Sequence, residues 1–227
     1  MKYQIITPMP ISQEDSLIFF RDYEKKRQDL FIDFSDEPIE KVLFLDIDGV
    51  LQPFSQYRFD YLHDKEGMEK LYVSMQEKHQ IDYRELDKYD FTAVVYDWYK
   101  PAVHELKRIL DKTGAKIVVS SDWRSGSKVL ILPFLFRIHD LEKYLYGYTP
   151  MFYDIYELIE SPEYKNISRH RSIEIKEYLK EHPHIKKWVA VDDINMTEDI
   201  FDNFVHVYPY LTEENADRCI EILGSDS

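Results

Sequence analysis

Lys41-Val42-Leu43-Phe44-Leu45-Asp46-Ile47-Asp48-Gly49-Val50 decides how the rest of the chain is read. Its first five residues are mostly apolar and strand-like, and they run into two carboxylates spaced i, i+2 and then a glycine. A continuous apolar run of this length suits a strand buried on both faces, as in a parallel sheet. At the strand's end, residues i and i+2 point the same way, so Asp46 and Asp48 can share one pocket. Two like charges that close are costly unless a cation lies between them or one stays protonated. Gly49 lets the chain turn sharply and bring its backbone near a ligand. The bland alternative is a strand closed by a polar turn, because Asp-x-Asp-Gly is also ordinary turn chemistry.

Outward from this strand, the chain alternates strands with helices. Residues 1–40 read as an N-terminal extension packed on the core, with Ser12 capping a helix that carries Leu17, Phe20, Tyr23 and Leu30. Residues 52–97 are too many for a bare loop and read as a small cap or flap over the strand tip. Within them Glu66–Lys78 is helical in pattern and Phe91–Tyr96 is strand-like. Their many tyrosines and phenylalanines either stack on a substrate ring or glue the insert to the body, and gluing is the commoner use. Pro101 to Thr113 has Pro in its first turn, Val103, Leu106, Ile109 and Leu110 on one face, and Gly114 just beyond. Ala115–Ser120 is a second buried-type strand, ending in Ser120-Ser121-Asp122-Trp123-Arg124. Residues 127–148 are apolar and aromatic with helix-like patches, and 151–168 read as loop and short helix. Arg169-His170-Arg171 opens a helix stopped by Pro183. Trp188–Val191 is a third buried strand running into Asp192-Asp193, and Phe204–Tyr208 a fourth. Thr212 caps a final helix with Ala216, Cys219, Ile220 and Leu223 inward.

This order predicts an α/β fold: a doubly wound, Rossmann-like parallel sheet with helices on both faces, spanning residues 41–227. Such sheets bind ligands beyond the carboxyl ends of their strands. Three strands place polar pairs at that edge: Asp46/Asp48, Ser120/Ser121 and Asp192/Asp193. Four carboxylates there repel one another unless they hold a hard cation, and oxygen-only ligands suit Mg²⁺. A carboxylate is ionised at neutral pH and can attack phosphorus without a general base. A second carboxylate, its pKa raised by the first, can protonate the leaving oxygen and later activate water. A hydroxyl and a cationic side chain can steady the phosphoryl oxygens.

The net charge of −14 argues against extended nucleic-acid or anionic-membrane binding, which needs clustered Lys and Arg. Charge is uneven, though. Residues 192–227 hold ten acids against Arg218, whereas residues 164–187 hold seven bases against three acids. One cysteine, Cys219, fits a reducing compartment, no apolar run reaches membrane-span length, and the start of the chain lacks a signal-peptide pattern. The expected location is cytoplasmic.

The ordered set Asp46-Ile47-Asp48-Gly49-Val50, strand-terminal Ser120, basic Arg171 and Asp192-Asp193 resembles the four motifs of the haloacid dehalogenase-like (HAD) superfamily. More narrowly, Phe44–Leu51, Thr113–Arg124, Gly147–Pro150, Arg171–Ile175 and Trp188–Asp193 look like the HAD domain associated with Swiss-army-knife RNA repair proteins. The resemblance implies Asp46 as nucleophile, Asp48 as general acid/base, Ser120 as phosphate-binding hydroxyl and Arg171 as the steadying cation. It implies Mg²⁺ held by the Asp46 carboxylate, the Asp48 main-chain carbonyl and Asp192, with Asp193 assisting. Ser121 and Arg169 are the alternatives to Ser120 and Arg171. The implied reaction is a phosphatase forming an aspartyl-phosphate, on a phosphorylated small molecule or a nucleotide or RNA end. The other outcomes on this scaffold are a phosphotransferase and a regulatory module that binds a phospho-ligand without hydrolysing it.

The remaining polar residues have two readings each. Arg124 binds a substrate phosphate or fixes loop backbone, and Trp123 walls the pocket or fills the core. His182-Pro183-His184 lies at a helix stop, where a surface turn is the better reading than a metal site. Asn195 braces the metal site or begins a turn.

Overall fold

A computed structural model describes residues 39–53, 64–124, 128–151 and 167–224, the side chains of 128–129 and 167–169 excepted. Its strands are β1 (Lys41–Leu45), β2 (Lys116–Val119), β3 (Leu145–Tyr148), β4 (Lys187–Asp192) and β5 (Phe204–His206). All pair in parallel, in the order β3-β2-β1-β4-β5. The apolar run thus forms the middle strand, and Leu45 stands in register with Val119 of β2 and Val191 of β4. Val42 to Leu45 are wholly buried, as a strand covered on both faces requires.

The period of two sends alternate residues to opposite faces. Leu43, Leu45, Ile117, Val119, Val189 and Val191 line the larger core. That core also receives Leu106 and Leu110 of α3 (Lys100–Thr113) and Cys219 and Leu223 of α7 (Glu213–Gly224). Val42, Phe44, Val118 and Ala190 face the smaller core, with Ile175 and Tyr178 of α5 (Ile167–Glu181). Phe44 meets the rings of Tyr178 and Trp188 edge-on, at 5.6 and 5.8 Å. Burying one such side chain contributes about 1.5–3 kcal/mol. The helix ends follow local chemistry. Gly114 closes α3 at φ +71°, and the Thr212 hydroxyl accepts the Asn215 N–H ahead of α7.

The segment after β1 carries α1 (Lys65–His79), capped by Asp64, and α2 (Lys88–Thr92), capped by Asp87. Its described part packs into the larger core through Tyr83, Phe91 and Val94. Phe91 stacks on both Tyr72 and Tyr83, at 5.0 and 5.1 Å. These aromatics bind the insert to itself and to the body. The strand-like reading of Phe91–Tyr96 is corrected here: α2 continues into a π-helical turn over Ala93–Asp97, closed by Trp98 N–H donating to Ala93 C=O at 3.1 Å. Asp87 accepts from the Tyr89 and Asp90 amides, and Thr92 donates back to the Lys88 carbonyl, so local polar bonds outweigh β propensity.

Residues 128–137 form α4 (Lys128–Arg137), in line with the helix-like patches there, but β3 has no counterpart in the sequence reading. The short helix Thr197–Ile200 is α6. The proposed helix at Ser12 and most of 151–168 lie outside the described residues. Among the described residues, no helix is long and apolar enough to cross a membrane.

Candidate active site

The ladder hydrogen bonds run one residue past the strands. Asp46 N–H donates to Val191 C=O at 3.0 Å and Ser120 N–H to Leu45 C=O at 2.8 Å. The peptide unit joining Leu45 to Asp46 is therefore gripped by both neighbours of β1, and the Asp46 side chain is only 6% exposed. Beyond it the chain folds back tightly: Gly49, Leu51 and Gln52 bond within residues 47–52. Leu51 C=O accepts from Tyr99 N–H at the start of α3, and Val50 C=O from Leu211 N–H. Gly49 sits at φ +74°, and a Cβ there would lie 2.4 Å from an Asp193 carboxylate oxygen. No side chain fits between the two loops.

Arg171, in the N-terminal part of α5, enters from the smaller-core face. Its Nη1 donates to Asp46 Oδ1 at 3.1 Å, to Asp192 Oδ2 at 3.2 Å and to the Ser120 carbonyl. Its Nη2 reaches Asp122 at 3.4 Å. Asp46, Asp192 and Asp193 each present an oxygen within 4.8 Å of the others. Burial pushes the Asp46 carboxyl up to about 6, against the pull of Arg171 and a hydrogen bond from Ser121. Burial and then the charge of Asp46 raise Asp192, and burial raises Asp193. Burial also opposes the charge of Arg171, yet Asp192, Asp46 and Asp122 together hold it above its ordinary value.

One guanidinium facing three clustered carboxylates leaves negative charge uncompensated. The donors are all oxygen, two of the three carboxylates are buried, and the strand tips fix them, which fits a hard divalent cation such as Mg²⁺. The Asp48 carboxylate stands apart from this trio. It accepts Trp123 Nε1–H at 2.9 Å on Oδ2 and Gln52 Nε2–H at 3.0 Å on Oδ1.

The two serines divide their tasks. The Ser121 hydroxyl lowers the Asp46 pKa and accepts Trp123 N–H at 3.4 Å, whereas the Ser120 hydroxyl accepts from Thr149 at 3.5 Å. Both are almost wholly buried. Arg124 is spent inside the protein, on the carbonyls of Thr149, Ser121 and Pro150 and on the Glu174 carboxylate. Of its two readings, this geometry describes the backbone brace. Arg169 lies on α5, but its side chain is outside the described set. Asn195 accepts Thr197 N–H at 3.0 Å and begins the α6 turn, and His182 bonds the Tyr178 carbonyl at the end of α5.

Sequence reasoning gave no individual role to Gln52, or to Asp122, Thr149 and Glu174 within the motifs it quoted. Glu174 stands three residues after Arg171, one helical turn along the same face, so spacing offered a signal. Gln52 offered none, because its approach to Asp48 depends on how the 47–52 turn closes.

No curated protein and no solved structure matches the chain at a significant level. A family profile described as the HAD domain in Swiss Army Knife RNA repair proteins does match, over residues 42–216. That span begins inside β1, takes in every strand and every motif residue named above, and ends within α7. With most of its length matched and its sheet, strand-tip carboxylates and central arginine arranged as described, the chain belongs to that family of HAD domains.

Proposed function

We propose that this protein is a Mg²⁺-dependent phosphatase that works through an aspartyl-phosphate on Asp46. The observation that carries the reading is the meeting of Asp46, Asp192 and Asp193 within 4.8 Å beside Arg171. A structural carboxylate cluster has no need of a Leu45–Asp46 peptide unit locked between two strands at the ligand-binding edge of the sheet. In the first half-reaction an Asp46 oxygen attacks phosphorus as the bond to the leaving oxygen breaks, and Asp48 gives that oxygen its proton. In the second, Asp48 takes a proton from water as the water oxygen attacks phosphorus, and the bond to Asp46 breaks. Arg171 and a serine hydroxyl hold the phosphoryl oxygens through both steps. Mg²⁺, held by Asp46, Asp192 and the Asp48 carbonyl with Asp193 assisting, supplies positive charge that offsets repulsion between nucleophile and phosphate.

The substrate we favour is a nucleotide or an RNA phosphate end. The family's occurrence in RNA repair proteins supports it, and the net charge of −14 favours a short contact over a long groove. The test is phosphate release from p-nitrophenyl phosphate, with Mg²⁺ or with chelator, for wild type and Asp46→Asn. We expect turnover only with Mg²⁺, and a loss of at least about a thousandfold in Asp46→Asn, on the scale of removing a nucleophile. Turnover that survives Asp46→Asn would sink the reading.

A further inference from the structure

Three consecutive residues of one 3₁₀ turn, Asp122, Trp123 and Arg124, reach α5 twice and the Asp48 turn once. Asp122 meets Arg171, Arg124 meets Glu174 on α5, and Trp123 meets Asp48. The last contact has a chemical consequence. The Trp123 ring is 4% exposed and rests edge-on against Trp98 at 6.2 Å, and Trp98 is packed in turn on Phe136 and His139. Its indole N–H is therefore aimed by a rigid aromatic stack. Gln52, almost fully buried, approaches the other carboxylate oxygen from within the turn that carries Asp48 itself.

We propose that Trp123, with Gln52, is a positioning residue that aims the Asp48 carboxyl and stabilises the charge it acquires on proton transfer. The proposal rests on the phosphatase reading. When Asp48 gives its proton to the leaving oxygen, the O–H bond electrons remain on the carboxylate. Two fixed N–H donors already face its oxygens, so the new charge needs no reorganisation around it. Donors of this kind act on the transition state of proton transfer more than on substrate binding. Their effect therefore grows with the difficulty of the leaving group. A good leaving group departs as an anion and needs little help from Asp48. An alkoxide does not.

The experiment compares wild type, Trp123→Phe and Gln52→Leu on p-nitrophenyl phosphate and on glycerol 2-phosphate, with kcat and KM measured separately. For Trp123→Phe we expect kcat on the alkyl phosphate to fall at least about tenfold, the lower end of the worth of one hydrogen bond to a charged group. On the aryl phosphate kcat should change much less, and KM should hold on both. In an Asp48→Asn background, Trp123→Phe should cost nothing more, because it acts through the group already removed. Equal losses on the two substrates, or additive losses in the double variant, overturn the proposal and leave the phosphatase reading in place.

A second measurement does not depend on turnover. Trp123→Phe identifies the Trp123 indole N–H among the side-chain resonances of the three tryptophans, and Asp48→Asn should then move that resonance upfield. An unmoved resonance means that the contact is absent and the proposal wrong. Wild-type protein with no turnover on any phosphate ester removes the phosphatase reading and this proposal with it, even if the resonance moves.

Discussion

At the scale of single residues, the site is built by removing freedom from a few side chains. Gly49 illustrates this through what it lacks. Its φ of +74° costs an L-residue about 1–2 kcal/mol, and its missing Cβ leaves room for the Asp193 carboxylate. Gly49→Ala should therefore destabilise the fold by about 2 kcal/mol and displace Asp193. Thermal melts with and without Mg²⁺ check both parts: a lower Tm in the apo protein, and a smaller rise on adding the ion than in wild type. Asp46, Asp48, Asp192 and Asp193 were legible because strand-terminal carboxylates after apolar runs are a pattern of residue types. The division of labour between Ser120 and Ser121 was not. It depends on how the backbone turns after Val119, and a shift of one residue exchanges the faces to which the two hydroxyls point.

At the scale of elements, α5 is held to the sheet edge by a polar clamp as well as by Ile175 and Tyr178. The Arg124 and Glu174 side chains are 2% and 10% exposed, and Arg124 also ties down the carbonyls that follow β3. Removing one partner of a buried ion pair leaves the other charge without compensation. Glu174→Ala should cost about 3–5 kcal/mol in urea unfolding, and Arg124→Met/Glu174→Leu should recover part of that loss. Because Arg171 lies one turn from Glu174, the single variant should also weaken phosphate-ester turnover. The buried strands, α3 and α7 were readable from periodicity and caps. β3 was not, because Leu145-Tyr146-Gly147-Tyr148 is a short edge strand with no strict alternation and a glycine within it. Phe91–Tyr96 misled for the opposite reason. Phe91 to Val94 are buried consecutively, and burial all round suits a helix interior as well as a strand.

Across the whole molecule, mild acidification should cost stability at one buried histidine outside the Asp46–Asp192–Asp193 cluster. His139 stacks on Trp98 and bonds the Val94 carbonyl at 2.8 Å, and burial holds its pKa below the ordinary 6.5. The unfolded chain takes up this proton more readily than the native one. The stabilisation is complete above pH 6.5 and is lost as pH falls below it toward the native value, at up to about 1.4 kcal/mol per unit. Asp46, Asp192 and Asp193, raised by burial, act in the opposite sense, so the slope is read as a difference: between pH 8 and pH 5.5 wild type should lose more stability on acidification, or gain less, than His139→Gln in melting curves. The fold class itself was legible because the alternation of apolar runs and amphipathic helices runs the length of the chain.

The order β3-β2-β1-β4-β5 also bears on how the protein is made. The strand that carries Asp46 emerges from the ribosome first among the five, finds β2 some seventy residues later, and waits for β4 until residue 187. At ordinary elongation rates that last interval is on the order of ten seconds. Throughout it, one edge of a mostly apolar strand is open to any other chain. Asp46 is thus written early and assembled late, and the nascent chain needs shielding along that edge until β4 has been synthesised.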